Sequence, residues 1–227
     1  MTEAAMNTQE FLTFQKFKDP DIANDIAEKL KGAGVIYKME NDDKFFDPTF
    51  SSDPLQRETR IKLKPGDFSK ANKILGDYYQ SLLSDIDKDY YLFDFSDKEL
   101  YEILAKPDEW GPLDYQLAQQ ILKDRGLGFK PEELESLNKK RIHELSRPEK
   151  SNHWMILAGY VCSFSLAFVG VGIGLALINS KKTLPDGRVV YTYTEADRNN
   201  GYLITSIGIG MIILAFIFRF ELQRYML

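Results

Sequence analysis

The sequence contains little cysteine and little histidine: one Cys and two His in 227 residues. A single cysteine excludes a disulfide-stabilised scaffold. Cys162 lies inside an apolar stretch, where it is better interpreted as a small apolar filler than as a nucleophile. His143 and His153 are ten residues apart with no cysteine beside them. The sequence therefore predicts no metal site and no other cofactor.

Catalytic motifs and an excess of basic charge are also missing. No HExxH, GxSxG or P-loop pattern occurs, and we expect a protein that is not an enzyme. Residues 1–153 carry 23 Lys and Arg against 30 Asp and Glu, a balance that argues against a nucleic-acid partner. Four aspartates lie in residues 41–58, but they do not follow the order of a calcium-binding EF-hand loop, so a solvated acidic loop is favoured.

Charge is absent from two long stretches, residues 154–178 and 202–218. In the first, 19 of 25 residues are hydrophobic and the other six are Gly or Ser. About 20 apolar residues cross the roughly 30 Å hydrocarbon core as a helix. We therefore predict two transmembrane helices, 154–178 and 201–220, joined by an outer loop over 179–200 and followed by a tail over 221–227. The lipid bilayer is the first predicted partner.

The flanking charges predict an orientation. Residues 1–10 contain no apolar core of a signal peptide. Seven basic residues flank the outer ends of the two spans and four lie in the connecting loop, which favours cytoplasmic termini. The expected location is thus the bacterial inner membrane, in a multi-pass arrangement with the N- and C-termini both in the cytoplasm.

Small residues in the two spans predict close helix packing. Gly170 and Gly174 form one small-xxx-small pair, and Ser206 and Gly210 form another. Such pairs let helix backbones approach each other in lipid. We expect the two spans to pack as a hairpin, and a homodimer contact is a further candidate.

The N-terminal region, residues 1–95, is predicted to be an α+β domain. Alternating strands are expected over 10–16, 35–40, 59–64 and 90–95, and amphipathic helices over 20–32 and 68–82. Asp19 and Pro20 supply a cap and a first helical residue. The resulting order βαββαβ is that of a ferredoxin-like fold. Its long loop, residues 41–58, is a candidate functional segment.

Residues 11–75 resemble the prokaryotic signal-transducing protein family, which is a domain of unknown function. The likeness rests on FxxxxDPDIANDIAEKLKGAGV and on the later IKLKPGDFSKANKIL. It implies a ferredoxin-like sensory module with no settled activity. Members that end in a zinc ribbon differ, because this chain has no CxxC. The arrangement of such a module before helices and two spans is also similar to uncharacterised Bacteroidetes membrane proteins.

Residues 96–153 are predicted to form a cytoplasmic helical spacer, beginning with a Ser96–Glu99 capping box. Trp110 lies in a predicted turn, where it is either a packed aromatic plug or a partner contact. The aromatic side chains of the long loop, Phe45, Phe46 and Phe50, are the other candidates for a ligand or partner contact.

Taken together, these features predict a membrane-anchored cytoplasmic regulatory or interaction module. It would act in signal transduction by binding an unknown protein partner or a small ligand. The alternative is a structural subunit of a larger membrane complex, in which the spans and the Trp110 turn make the contacts.

Overall fold

The computed structural model of the chain describes residues 10–41 and 58–225. The chain divides into two compact units. The first runs to Leu145 and also takes in Thr183–Arg188, and the second holds Ser146–Lys182 and Val189–Leu227. One short segment late in the chain is therefore part of the first unit.

The first unit begins with a small sheet and two helices: β1 (Leu12–Phe17), α1 (Pro20–Gly32), β2 (Tyr37–Asn41), β3 (Thr59–Leu63) and α2 (Phe68–Ser81). The strand order is β1-β3-β2, and β3 is antiparallel to both neighbours. Helix α1 packs on the strands and on α2. The core between them is fully buried and includes Ile26, Leu30, Ile61, Leu63 and Phe68.

Local signals in this region are confirmed. The Asp19 carboxylate accepts a hydrogen bond from the Asp21 N–H at 2.9 Å, and Pro20 is the first helical residue. Strand β3 buries Ile61 and Leu63 on one face, as its alternation predicts. The β-α-β-β-α part of the predicted order is therefore present.

The predicted strand over 90–95 is wrong. This run forms a 3₁₀ turn, Tyr91–Asp94, and buries only Leu92 among its six side chains. A strand would bury alternate residues, whereas Leu92 packs with the helices that follow and Phe95 meets the Trp110 ring edge-on. The described sheet keeps three strands, so the ferredoxin-like fold is not confirmed.

Three further helices belong to the first unit, apart from Ser146: α3 (Asp97–Ala105), α4 (Pro112–Asp124) and α5 (Pro131–Ser146). The Ser96–Glu99 capping box is present, with the Ser96 N–H donating to Glu99 Oε2 at 2.8 Å. The second core is formed by Leu92, Leu100, Ile103, Leu104, Leu117, Ala118, Ile121 and Leu122. Helices α3 and α4, predicted as part of a spacer, thus belong to the same compact unit as the sheet.

The second unit contains α6 (His153–Ser165), α7 (Ala167–Asn179), β4 (Lys181–Thr183), β5 (Val189–Tyr191) and α8 (Glu195–Tyr225), apart from Thr183. The prediction of one continuous span over 154–178 is wrong. The chain leaves the helical conformation at Leu166, where φ is −132° and ψ is 64°, and α7 returns along α6. Glycines at the contact let the two backbones pack closely, and a uniformly apolar run has no periodicity that could reveal this reversal.

The second predicted span lies within α8. Residues Glu195–Arg219 form a 25-residue stretch whose most apolar 18-residue window has a mean hydropathy of 2.2, and this stretch is long and apolar enough to cross a membrane. It is the one such helix in the described part of the chain. The predicted two-helix transmembrane hairpin is therefore not confirmed. The small hairpin predicted in the connecting loop is confirmed, because β4 pairs with β5 around a turn at Gly187, which has a positive φ of 85°.

Candidate membrane-binding surface

Glycine residues bring α6, α7 and α8 into close contact. A Cβ on Gly159 would lie 2.8 Å from Ile204 Cδ1, and one on Gly208 would lie 2.7 Å from Val171 Cγ2. A Cβ on Gly174 would lie 2.7 Å from the carbonyl oxygen of Gly201. Real Cβ atoms do not approach other atoms so closely, so side chains at these positions would force the helices apart.

A buried serine links two of these helices. The Ser163 hydroxyl lies 2.8 Å from the Gly159 carbonyl oxygen within α6 and 3.0 Å from the Ile204 carbonyl oxygen of α8. Its side chain is fully buried, so either bond satisfies a group that would otherwise be costly to bury. The Ser163 hydroxyl is thus turned toward the contact between α6 and α8.

The outward faces of the same helices are apolar. Trp154 on α6 is 74% exposed, and Phe168 on α7 is 76% exposed. The other large exposed apolar side chains here are Leu157, Val161, Phe164, Leu166, Val169, Leu175, Tyr202, Leu203, Ile209, Ile213, Leu214, Phe216, Ile217 and Phe218. Exposed apolar surface of large extent is typical of sites that contact another protein or a membrane.

One end of the three-helix unit is polar. The Asp197 carboxylate near the start of α8 accepts from the Ser151 N–H at 2.9 Å and from the Thr194 hydroxyl at 2.7 Å. The Tyr160 hydroxyl of α6 donates to Asn200 at 2.9 Å. These bonds tie the residues just before α6, and the middle of α6 through Tyr160, to the first turns of α8.

The C-terminus of α7 lies at the same polar end. The Thr192 N–H donates to the carbonyl of Ser180, the residue after α7, at 3.0 Å. The Glu149 N–H donates to the Thr192 carbonyl at 2.8 Å, and the Lys182 ammonium meets the Glu149 carboxylate at 2.6 Å. The start of α6, the end of α7 and the start of α8 therefore share one polar end.

The predicted packing residues divide into two groups. Gly170 and Gly174 lie at helix contacts, Gly170 against Ser163 of α6 and Gly174 against Gly201 and Thr205 of α8. Ser206 and Gly210 are exposed, and a Cβ on Gly210 would meet no atom within 4 Å.

The glycines of α8 that face α7 are Gly201 and Gly208, seven residues apart. Two helical turns separate residues with that spacing and place them on one face. This spacing is the signal in the sequence that identifies them, and the small-xxx-small pattern, whose residues are four apart, does not include it.

The predicted contact residues of the N-terminal unit have different outcomes. Phe45, Phe46 and Phe50 lie outside the described residues, as do Asp42, Asp43, Asp47 and Asp53. Trp110 is half-buried against the second core, with its ring centroid 6.1 Å from that of Phe95. Trp110 thus packs as an aromatic side chain that covers the second core.

The charged groups of the first unit form structural contacts. Arg141 donates to both carboxylate oxygens of Asp108, at 2.7 and 2.8 Å, and to Glu109 at 2.7 Å. The bonds from Arg141 hold the pKa of Asp108 below its ordinary value although burial opposes this. Burial, followed by the 2.7 Å bond to Asp114, raises the pKa of Tyr90. The Arg141–Asp108 pair joins α5 to the turn before α4. The Tyr90–Asp114 bond joins the residue before the 3₁₀ turn to α4.

One cavity of the first unit has four glutamine side chains in its lining. This cavity of about 180 Å³ is lined by Gln80, Leu83, Gln116, Gln119, Gln120, Lys123, Gly128, Phe129 and Leu134. Across residues 10–41 and 58–225, no three His, Cys, Asp or Glu side chains are grouped as metal ligands would be. Cys162 is half-buried in α6.

Comparison of the chain with protein-family models, with curated proteins and with solved structures gave no match. The resemblance of residues 11–75 to the signal-transducing family therefore stays a prediction. The structure itself defines a mixed α+β protein, and among residues 10–41 and 58–225 one helix could cross a membrane by its length and composition.

Proposed function

We propose that the protein is a membrane-anchored regulatory or interaction module of the bacterial inner membrane. The second unit anchors it, and the first unit, on the cytoplasmic side, binds a protein partner or a small ligand in signal transduction. The role is non-catalytic, and the resemblance of residues 11–75 supports its sensory part. The loop that contains Phe45, Phe46 and Phe50 is the proposed contact.

One observation carries the anchoring part of this proposal. Only 17% of the most apolar 18-residue window of α8 is buried inside the structure. A core helix of a soluble protein would be mostly buried, because its apolar side chains gain about 25 cal/mol for each Å² removed from water. Lipid acyl chains supply the missing cover.

The anchoring is tested by extraction of the full-length protein from membranes. We expect alkaline carbonate to leave it in the membrane pellet and detergent to release it. A variant with Ile213→Asp and Phe216→Asp should move into the soluble fraction. The control variant Ile36→Asp, which changes an exposed apolar residue of the first unit, should stay in the pellet. Release of the unaltered protein by carbonate would overturn the anchoring.

The alternative is a structural subunit of a larger membrane complex. It is favoured by the later half of α8, where Ile209, Ile213 and Leu214 are exposed. Purification of the full-length chain from native membranes in mild detergent separates the two roles. A chain that is isolated alone, and whose thermal unfolding shifts with one member of a metabolite library, supports the regulatory role. Stoichiometric membrane subunits without such a shift support the structural role.

A further inference from the structure

We infer that α6 and α7 form a re-entrant hairpin, which enters the bilayer and returns to the same face, with lipid acyl chains covering its apolar outer surface. Helix α8 then crosses the membrane alone among the described helices. The first unit and the β4–β5 hairpin share one face, and the end of α8 emerges on the other. This inference rests on the proposed membrane anchoring, and it replaces the arrangement of two spans with both termini on one side.

Helix length is the first argument. Helices α6 and α7 have 13 residues each. At about 1.5 Å per residue each is about 20 Å long. The hydrocarbon core is about 30 Å thick, so neither helix crosses it. The Glu195–Arg219 stretch of α8 has 25 residues. Its length of about 37 Å is sufficient to cross.

The polar end gives the second argument. Hydrogen bonds join Ser151 to Asp197 and Ser180 to Thr192, so the chain enters α6, leaves α7 and enters α8 at one end of the unit. Charged and hydroxyl side chains cluster there, while the opposite end of the hairpin, at Leu166, has no charge. An amphipathic unit of this kind places its polar end at the interface and its apolar end in the lipid.

The depth of the hairpin follows from its contact with α8. A Cβ on Gly208 would lie 3.0 Å from the carbonyl oxygen of Ala167, the first residue of α7. The apolar stretch of α8 begins at Tyr202, six residues before Gly208. The hairpin tip therefore lies about 9 Å into the hydrocarbon core, short of its middle. Beyond it, α8 continues with exposed Ile213, Leu214 and Phe216.

The backbone N–H and C=O of Leu166, at the tip, both form internal hydrogen bonds, as lipid requires. The Leu166 N–H donates to the Cys162 carbonyl at 2.7 Å, and the Leu166 carbonyl accepts from Val169 at 2.7 Å and from Gly170 at 3.2 Å. The Ser165 hydroxyl donates to the Val161 carbonyl at 3.0 Å. An unsatisfied group in hydrocarbon costs several kcal/mol, and non-helical backbone survives there only when such bonds are made.

The connection between α7 and α8 provides an independent argument. Its residues Thr183–Arg188 belong to the first unit. Within that unit the Asn72 amide donates to the Pro185 carbonyl at 3.0 Å, and Leu184 is 3% exposed. A connection that packs into the first unit lies on the same side of the membrane as that unit.

The re-entrant path also changes the charge bias. With the connection on the near face, nine basic residues flank the membrane there: Lys139, Lys140, Arg141, Arg147, Lys150, Lys181, Lys182, Arg188 and Arg198. Arg219 and Arg224 are the two at the far end. The bias becomes nine to two, and basic residues concentrate on the cytoplasmic side. The first unit is therefore cytoplasmic and the chain ends on the opposite face.

The topology is tested with single cysteines in the full-length chain in sealed vesicles of known orientation. The parent is Cys162→Ser, and the labelled positions are Lys150→Cys, Arg188→Cys and a cysteine tag after Leu227. A membrane-impermeant maleimide should label the first two from one side and the tag only from the other. Labelling of positions 150 and 188 from opposite sides, or of all three from one side, would overturn the inference.

The depth of the hairpin is tested by spin labels at Leu166 and, as a matched exposed control, at Trp154. We expect the Leu166 label to collide with lipid-soluble oxygen and to be shielded from water-soluble relaxants, and the Trp154 label to report a position nearer the interface. A Leu166 label shielded from both reagents together with crosslinking between two copies would overturn lipid as the occupant. Carbonate extraction of the same variants separates these failures from failure of anchoring, since a topology error leaves the protein in the pellet.

Discussion

The carboxylate of Asp197 accepts a hydrogen bond from the backbone N–H of Ser151 at 2.9 Å, and so joins the start of α8 to the residue two before α6. Both residues are buried, at 8% and 6% exposure. This bond joins segments that are 46 residues apart in the chain. It defines the polar end of the second unit and thereby the direction in which the hairpin and α8 leave it.

Replacement of Asp197 with Ala should loosen this end. The change leaves the Ser151 N–H without its carboxylate partner, and a buried unsatisfied donor costs about 1–3 kcal/mol. We expect a lower midpoint of thermal unfolding in detergent micelles, followed by circular dichroism. Glu195→Ala is the matched control, because it removes the same charge from an exposed residue of the same helix turn. Equal midpoints for the two variants would contradict a structural role of Asp197.

Substitution of Gly174 with Leu should separate α7 from α8. Its new Cβ would lie 2.7 Å from the Gly201 carbonyl oxygen, and overpacking of this kind costs about 1–3 kcal/mol. Gly172→Leu, two residues earlier on the same helix, has no atom within 4 Å of its Cβ and should leave stability unchanged. Thermal unfolding in the same detergent measures both variants. If Gly172→Leu lowers the thermal stability and Gly174→Leu does not, the described packing is refuted.

Trp110 should act as a packing residue of the second core. Truncation to Ala is expected to cost about 2 kcal/mol, less than the roughly 3–5 kcal/mol of a fully buried aromatic residue, because Trp110 is half-buried. Trp110→Phe should retain most of the stability, since its ring can still meet Phe95. Urea unfolding followed by circular dichroism provides the values. If Trp110→Ala is as stable as the parent but fails to retain a membrane partner, the partner-contact interpretation is correct.

Acid should weaken the contact between α5 and the turn before α4. The pKa of Asp108 is lowered in the folded protein by the bonds from Arg141. A carboxyl with a depressed folded pKa stabilises the fold above its unfolded value of about 3.9 and loses this contribution as pH falls through the folded pKa. The midpoint temperature of thermal unfolding should therefore decrease when the pH is lowered below about 4.

The Asp108→Asn variant isolates this effect. It should be less stable at neutral pH and should show a shallower decline on the acid side, because it has no carboxylate at this position to protonate. Glu132→Gln, at an exposed residue of α5, should follow the parent curve. Identical acid slopes in the parent and in Asp108→Asn would exclude Asp108 as the titrating group.

Local chemistry made several elements predictable. The Asp19–Pro20 start of α1, the Ser96–Glu99 box of α3 and the alternation of β3 each depend on residues close in sequence. The 90–95 run was mispredicted because its aromatic residues have strand propensity, yet the burial of Leu92 is decided by α3 and α4.

The composition of the candidate membrane surface could be predicted from the sequence, but the path that the chain follows through its helices could not. Absence of charge over 154–178 and 202–218 indicated apolar surroundings, and α8 contains the second stretch. The reversal at Leu166 has no proline beside it, and Leu166 is itself an apolar residue. The helix faces used in packing depend on which neighbour each glycine meets, so Gly201 and Gly208 were not identified while Gly170 and Gly174 were.

The uncharged, apolar segments could be recognised from the residues alone, because hydropathy and charge are summed residue by residue along the chain. The sequence also determined where most helices of the first unit begin, through caps and prolines. Whether the first apolar segment is one helix or two depends on tertiary packing, since Gly159 of α6 meets Ile173 of α7 and Ile204 of α8. The polar end is a tertiary property for the same reason: its hydrogen bonds join residues distant in sequence, such as Ser151 and Asp197.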